Sequence, residues 1–225
     1  MISLSHNFLF IHIPKTGGNS VQSVLLNYSN SRLVTSGSRH QDGQHSFGIV
    51  DNEFGLTKHS TLMHYEAVVP TPLFERAYKF ATIRNPWDRA LSFFLMPSRY
   101  GLEGRPVTDR RRFKKSLLRR LDKLQPVRHY ITLGANTGGA SHLGADDSAY
   151  EGDLAYHMTK LIRFEHLQQD FSQVCTDIGI PGTQLPKLNA SQHRHQHYGE
   201  YFDDEIRDII GEKYQEEIAY GRYTF

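Results

Sequence analysis

Two clusters in this 225-residue chain have residue types and spacing suited to holding phosphate groups, and a third could move a proton. The first is FIHIPKTGGNS, Phe10 to Ser20. Backbone N–H groups at a glycine turn that opens a helix can cradle an anion. Around the turn at Gly17 and Gly18, Lys15 could add charge, and Thr16, Asn19 and Ser20 could add hydrogen bonds. The lysine precedes the glycines here. In the nucleoside-triphosphate loop GxxxxGK[ST] it follows them, and the Ser or Thr sits on Mg²⁺, so an ordinary ATP or GTP hydrolase is disfavoured. The second cluster is FATIRNPWDRALSFF, Phe80 to Phe94, in which Arg84 offers a planar fork of donors matched to phosphate oxygens, while RNPxxR taken alone also reads as an exposed turn with a solvated or ion-paired arginine. The third is KHSTLMHY, Lys58 to Tyr65, where His59 and His64 are candidate general bases, a nearby carboxylate being a further one.

Regular elements must position these residues. The apolar run Phe8–Ile13, stopped by Pro14, reads as a buried strand, and 20–26 as a short helix with Val21, Val24 and Leu25 on one side. A helix is expected over 60–69, stopped by Pro70, and a second buried strand over 78–83. Pro86 suits the first turn of the next helix and Asp88 its positive end. Further helices are expected over 108–124, 166–177 and 203–217, with a short strand at 161–164. Strands alternating with helices favour an α/β fold with helices on both faces of the sheet. Length favours one domain over residues 1–225, with 98–156 as a helical and loop insertion beside the site.

In this order and spacing, FIHIPKTGGNS and FATIRNPWDRALSFF resemble the two nucleotide-binding segments of sulfotransferases that use 3′-phosphoadenylyl sulfate (PAPS). The likeness is to the branch of heparan and chondroitin sulfotransferases and their small bacterial relatives. It implies a P-loop-like, three-layer α/β/α fold with a central, mostly parallel sheet. It also implies PAPS as sulfonate donor, 3′,5′-phosphoadenosine (PAP) as product, no required metal, and a hydroxyl acceptor on a carbohydrate or small metabolite. Lys15 matches the lysine that meets the oxygen bridging phosphorus and sulfur, and Thr16, Gly17, Gly18, Asn19 and Ser20 match the cradle. Many relatives carry Thr where this chain has Asn19. Arg84 and Ser92 match the 3′-phosphate ligands, and Arg194, in LNASQHRH, matches an arginine that reaches the 3′-phosphate or closes over the nucleotide. In that branch the base is a histidine between the two segments, just before a helix, which selects His59. His12, flanked by apolar residues, reads instead as a satisfied core or rim histidine.

The remaining features bound the function. A net charge of +2 gives no strong pull toward nucleic acid. The single cysteine, Cys175, excludes an internal disulfide and a cysteine zinc cluster, and fits a reducing compartment. An N-terminus too polar for a clear signal peptide, and no long apolar run, predict a soluble cytoplasmic protein without a membrane span. The basic run DRRRFKKSLLRR, 109–120, is either the solvated face of an amphipathic helix or a track for an anionic acceptor. The glycine-rich stretch 134–152 reads as a loop or acceptor lid, and HRHQH, 193–197, as a flexible or cofactor-facing loop rather than a metal site. Two other functions stay open from sequence: a Mg²⁺-dependent small-molecule kinase, which should carry an Asp where Arg84 stands, and a non-catalytic binder of a phosphorylated ligand.

Overall fold

The computed structural model describes residues 1–39, 45–51, 53–95, 110–133, 154–188 and 197–225, which fall into two compact units. The first unit comprises Met1–Ile83 and Val127–Asn189, the second Arg84–Pro126 and Ala190–Phe225.

The first unit is built on a strand with no polar side. β2 (Phe8–Ile11) is apolar and buried at every position, the pattern of a strand covered on both faces. It pairs in parallel with β6 (Tyr78–Ile83), Phe10 opposite Phe80, and β6 pairs in parallel with β7 (Lys160–Arg163). β1 (Ile2–Ser3) adds an antiparallel edge, giving the order β1-β2-β6-β7. Phe8, Phe10, Phe80 and Ile162 share one core with Val21 and Leu25 of α1 (Gly18–Leu25) and Phe171 and Val174 of α7 (Leu167–Asp177). The expected mostly parallel α/β sheet flanked by helices is therefore present. Because β2, β6 and β7 run in parallel, the chain leaves each of them at the same end of the sheet, where ligands bind in such folds.

A second, antiparallel sheet was not legible in sequence: β3 (Arg32–Arg39), β4 (His45–Asp51) and β5 (Leu56–Thr57). Its strands carry Gly37 and Gly48 among mixed polar residues, so the alternating pattern that marks a strand is weak. The helix expected over 60–69 begins two residues later, as α2 (Leu62–Val68), because Thr61 is its N-cap. Two short helices, α3 (Thr71–Arg76) and α6 (Val127–Ile131), complete this unit.

The second unit is helical: α4 (Pro86–Phe94), α5 (Arg110–Leu121), α8 (Asp204–Lys213) and α9 (Gln215–Gly221). Its core joins Trp87 and Leu91 to Phe113 and Leu117 and to Ile206 and Ile210. The single helix expected over 203–217 breaks at Tyr214, which leaves helical geometry (φ −120°, ψ 31°), lies buried and donates its hydroxyl to the Leu124 carbonyl at 2.7 Å. On α5, Lys114 pairs with Asp203 and Glu205, and Arg120 donates to the carbonyls of Phe93 and Phe94. Arg111, Lys115 and Arg119 are exposed at four-residue intervals, a ridge on one face of the helix. The stretch 134–152 and residues His193, Arg194 and His195 lie outside the described residues. Among those described, no helix is long and apolar enough to cross a membrane.

Asn85 is the joint of the second unit. Its Oδ1 caps α4 by accepting from the Trp87 and Asp88 N–H groups, and its amide donates to the Tyr198 hydroxyl and the Thr224 carbonyl, each at 3.1 Å. Asn85→Ala should cost about 1–2 kcal/mol, the worth of a good cap. A matching drop in the urea midpoint at unchanged m-value would measure it.

Candidate active site

The loop after β2 is shaped by three local constraints. Lys15 and Gly17 both take left-handed backbone conformations, φ 69° and 83°, the first uncommon for a side-chain-bearing residue. At Gly17 a Cβ would also come within 2.7 Å of the Phe164 ring. At Gly18 it would meet the His12 ring at 2.4 Å. Both glycines are therefore required, one by backbone geometry as well as space, the other by space alone. Thr16 is buried and donates its hydroxyl to the Ile13 carbonyl at 2.9 Å, which staples the turn and leaves its backbone N–H as the donor it could offer an anion. Gly17 is the N-cap of α1 and supplies no capping side chain, and the first turn holds no acidic residue. An anion at this end would meet helix N–H groups and the positive end of the dipole. Ser20 is buried, and its hydroxyl accepts from the Leu188 N–H at 3.4 Å.

Asn19 does something the sequence did not disclose. Its Oδ1 accepts from the Lys58 ammonium at 2.6 Å, tying the loop to the turn that carries His59. Burial holds Lys58 down at about 8.

The two candidate histidines differ in where their lone pair lies. His59 places Nδ1 2.9 Å from the His12 carbonyl oxygen. A carbonyl can only accept, so Nδ1 carries the proton and the lone pair of the neutral ring is on Nε2. Burial, the largest cause, and the charge of Lys58 lower the His59 pKa below 6.5 against the opposing pull of that carbonyl, so the ring is neutral at pH 7. His64 is reversed. Its Nδ1 accepts from the Thr61 N–H at 3.0 Å in a capping box, so its neutral form carries the proton on Nε2 and has no lone pair to offer there. His12, as expected, is a satisfied buried histidine: Nδ1 is 2.9 Å from Gln22 Oε1, and burial with the charges of Lys58 and His59 holds its pKa well below 6.5.

In the second unit, Arg84 follows directly on β6. Its Nε and one terminal nitrogen both reach Asp88 Oδ2, at 2.8 and 2.7 Å, which fixes the plane of the guanidinium. Asp88 and Ser92 lie one turn apart on the same face of α4. The other arginine of RNPWDR, Arg89, is fully buried, donates to the Gln125 carbonyl at 3.0 Å and lies over the Tyr214 ring. It is structural, and the four-residue spacing of Arg84 and Asp88 was the available signal for telling the two apart. His197, the described member of the alternating histidines, accepts from the Gly199 N–H at 3.2 Å.

A family model described as "Sulfotransferase family" matches residues 1–127, more than half of the chain, and takes in both phosphate segments and the His59 turn. The chain belongs to the sulfotransferase family. Sulfonate transfer in general is thereby its activity, and the match ends within α6, before β7, α7, α8 and α9. No curated protein and no solved structure matches the chain significantly.

The steric constraint at Gly18 has a direct consequence for this family member. Gly18→Ala must push the His12 ring aside, so it should lower the melting temperature, overpacking costing about 1–3 kcal/mol, while the far-UV circular dichroism stays native. An unchanged melting temperature in that variant would show that the loop does not need the contact.

Proposed function

We propose that the chain transfers the sulfonate of PAPS to a hydroxyl of a carbohydrate or small metabolite, with His59 as general base. The observation that carries this reading is the tautomer of His59: a neutral ring whose Nε2 lone pair is set by the His12 carbonyl, beside an anion-shaped loop. PAPS would supply an activated sulfonate joined to its 5′-phosphate through a bridging oxygen. The residues after β2 fit that group, with two glycines where no Cβ can stand, an uncapped helix start without acid, and Lys15 within the turn. On this reading Lys15 meets the negative charge that grows on the bridging oxygen, an interaction strongest in the transition state. Thr16, Gly17, Gly18, Asn19 and Ser20 hold the 5′ end, with Asn19 acting as much through Lys58 as on the nucleotide.

The acceptor oxygen forms its bond to sulfur as the bond from sulfur to the bridging oxygen breaks. Its proton passes to Nε2 of His59, and the charge left behind resides on PAP. Arg84, its plane fixed by Asp88, and Ser92 bind the 3′-phosphate, and Arg194 is assigned beside them by the family likeness alone. The chemistry requires no metal, and the compartment we assign is the cytoplasm.

Three outcomes test this. PAP should raise the melting temperature well above the effect of adenosine 5′-phosphate or ATP·Mg²⁺, and Arg84→Ala should erase that difference. An equal response to the nucleotide lacking a 3′-phosphate would sink the assignment. His59→Ala should keep PAP binding and lose roughly 10²–10⁴-fold in ³⁵S transfer, the range of a general base. The acid limb of the wild-type profile should lie below pH 6.5, since His59 must be deprotonated to act and its pKa is lowered.

Lys58 gives the third. Its charged form is disfavoured by burial, so an anion beside it raises its pKa above about 8. PAP binding near pH 8–9 should then take up a proton, and affinity should fall as pH rises through that range. Calorimetry in buffers of different ionisation enthalpy would read the uptake, and Lys58→Met should remove it.

A further inference from the structure

Gln22 is a buried polar residue in the middle of the apolar side of α1, between Val21 and Val24. A side-chain amide in such a place is costly unless it is bonded. Its Oε1 lies 2.9 Å from His12 Nδ1. The His12 ring is held on its other sides by the backbone at Gly18, which leaves no room for a Cβ, and by the His59 ring, whose centroid is 5.0 Å away in an edge-to-face arrangement. The carbonyl of the same residue is the acceptor for His59 Nδ1. One residue thus touches His59 twice, through its ring and its carbonyl, and one amide holds that residue.

We propose that Gln22 and His12 are positioning residues that select the Nδ1–H tautomer of His59 and so place its lone pair on Nε2, an inference that rests on His59 being the base. Neither touches the reacting atoms. If Gln22 loses its acceptor, the buried Nδ1–H of His12 is left without its partner, a cost that favours rotation of the ring. Rotation removes the edge-to-face support of the His59 ring and displaces the carbonyl that fixes its proton. His59 would then distribute between two neutral tautomers, one of which has no lone pair on Nε2.

The experiment is ¹⁵N NMR of histidine-labelled protein, which distinguishes the two neutral tautomers and needs no acceptor. In the native chain His59 should show the Nδ1–H form. In Gln22→Met the ratio of the two tautomers should shift about fivefold, the worth of one ordinary hydrogen bond. Gln22→Glu retains an acceptor oxygen and should restore the native spectrum. Gln22→Asn, a methylene short, should shift it as Gln22→Met does, and serves if the Met variant does not fold. Thermal stabilisation by PAP should be unchanged in all three, which separates tautomer control from loss of the loop. An unchanged His59 spectrum in Gln22→Met or Gln22→Asn overturns the proposal. Failure of the base assignment would register separately, as full ³⁵S transfer by His59→Ala with the tautomer shift in the Gln22 variants intact.

Discussion

The first unit turns on the contact between the His12 ring and Gly18. The ring occupies the space that any Cβ at residue 18 would need. It therefore dictates that α1 begin with glycine, which leaves the start of the helix bare. The same residue directly follows β2 and offers its carbonyl to His59. Loop shape, helix start and the proton on His59 are thus three consequences of one buried residue, whose ring is itself held by Gln22.

Burial acts on electrostatics here in a consistent direction. His12, Lys58 and His59 are gathered into a small volume, and in each case burial is the leading cause of a lowered pKa. Like charges add to the effect on both histidines, through Lys58. A site that disfavours its own positive charge has two properties of use in anion chemistry. Its histidines stay neutral and able to accept a proton, and the charge it resists is stabilised when an anion arrives. Asn19 reconciles these demands by giving the Lys58 ammonium an oxygen to bond.

The second unit divides similar residues between different tasks. Arg84 and Arg89 stand in one short motif, yet one is fastened by its fork to Asp88 and the other is committed to a buried carbonyl and an aromatic ring. Asn85 caps the helix that carries Asp88 and Ser92 while bonding Tyr198 and Thr224, so the alignment of Arg84 with that helix depends on residues more than a hundred positions away.

Much of this was legible in the chain itself. β2 and β6 announced themselves as uninterrupted apolar runs, and α1, α4 and α7 by apolar spacing and breakers. Lys15, the two glycines, Arg84 and His59 stood out because their types and order suit a phosphate loop and a base, and the family match over residues 1–127 rests on that same stretch. Sequence could not disclose pairings between distant positions: Asn19 with Lys58, thirty-nine residues apart, or His59 with the carbonyl of His12, forty-seven apart. By residue type alone it left His59 and His64 alike, and it was the family likeness that selected His59. The tertiary structure separated them chemically, because a histidine's tautomer is set by the partner of its Nδ1. That partner is a carbonyl from a neighbouring loop for His59 and a local helix N–H for His64.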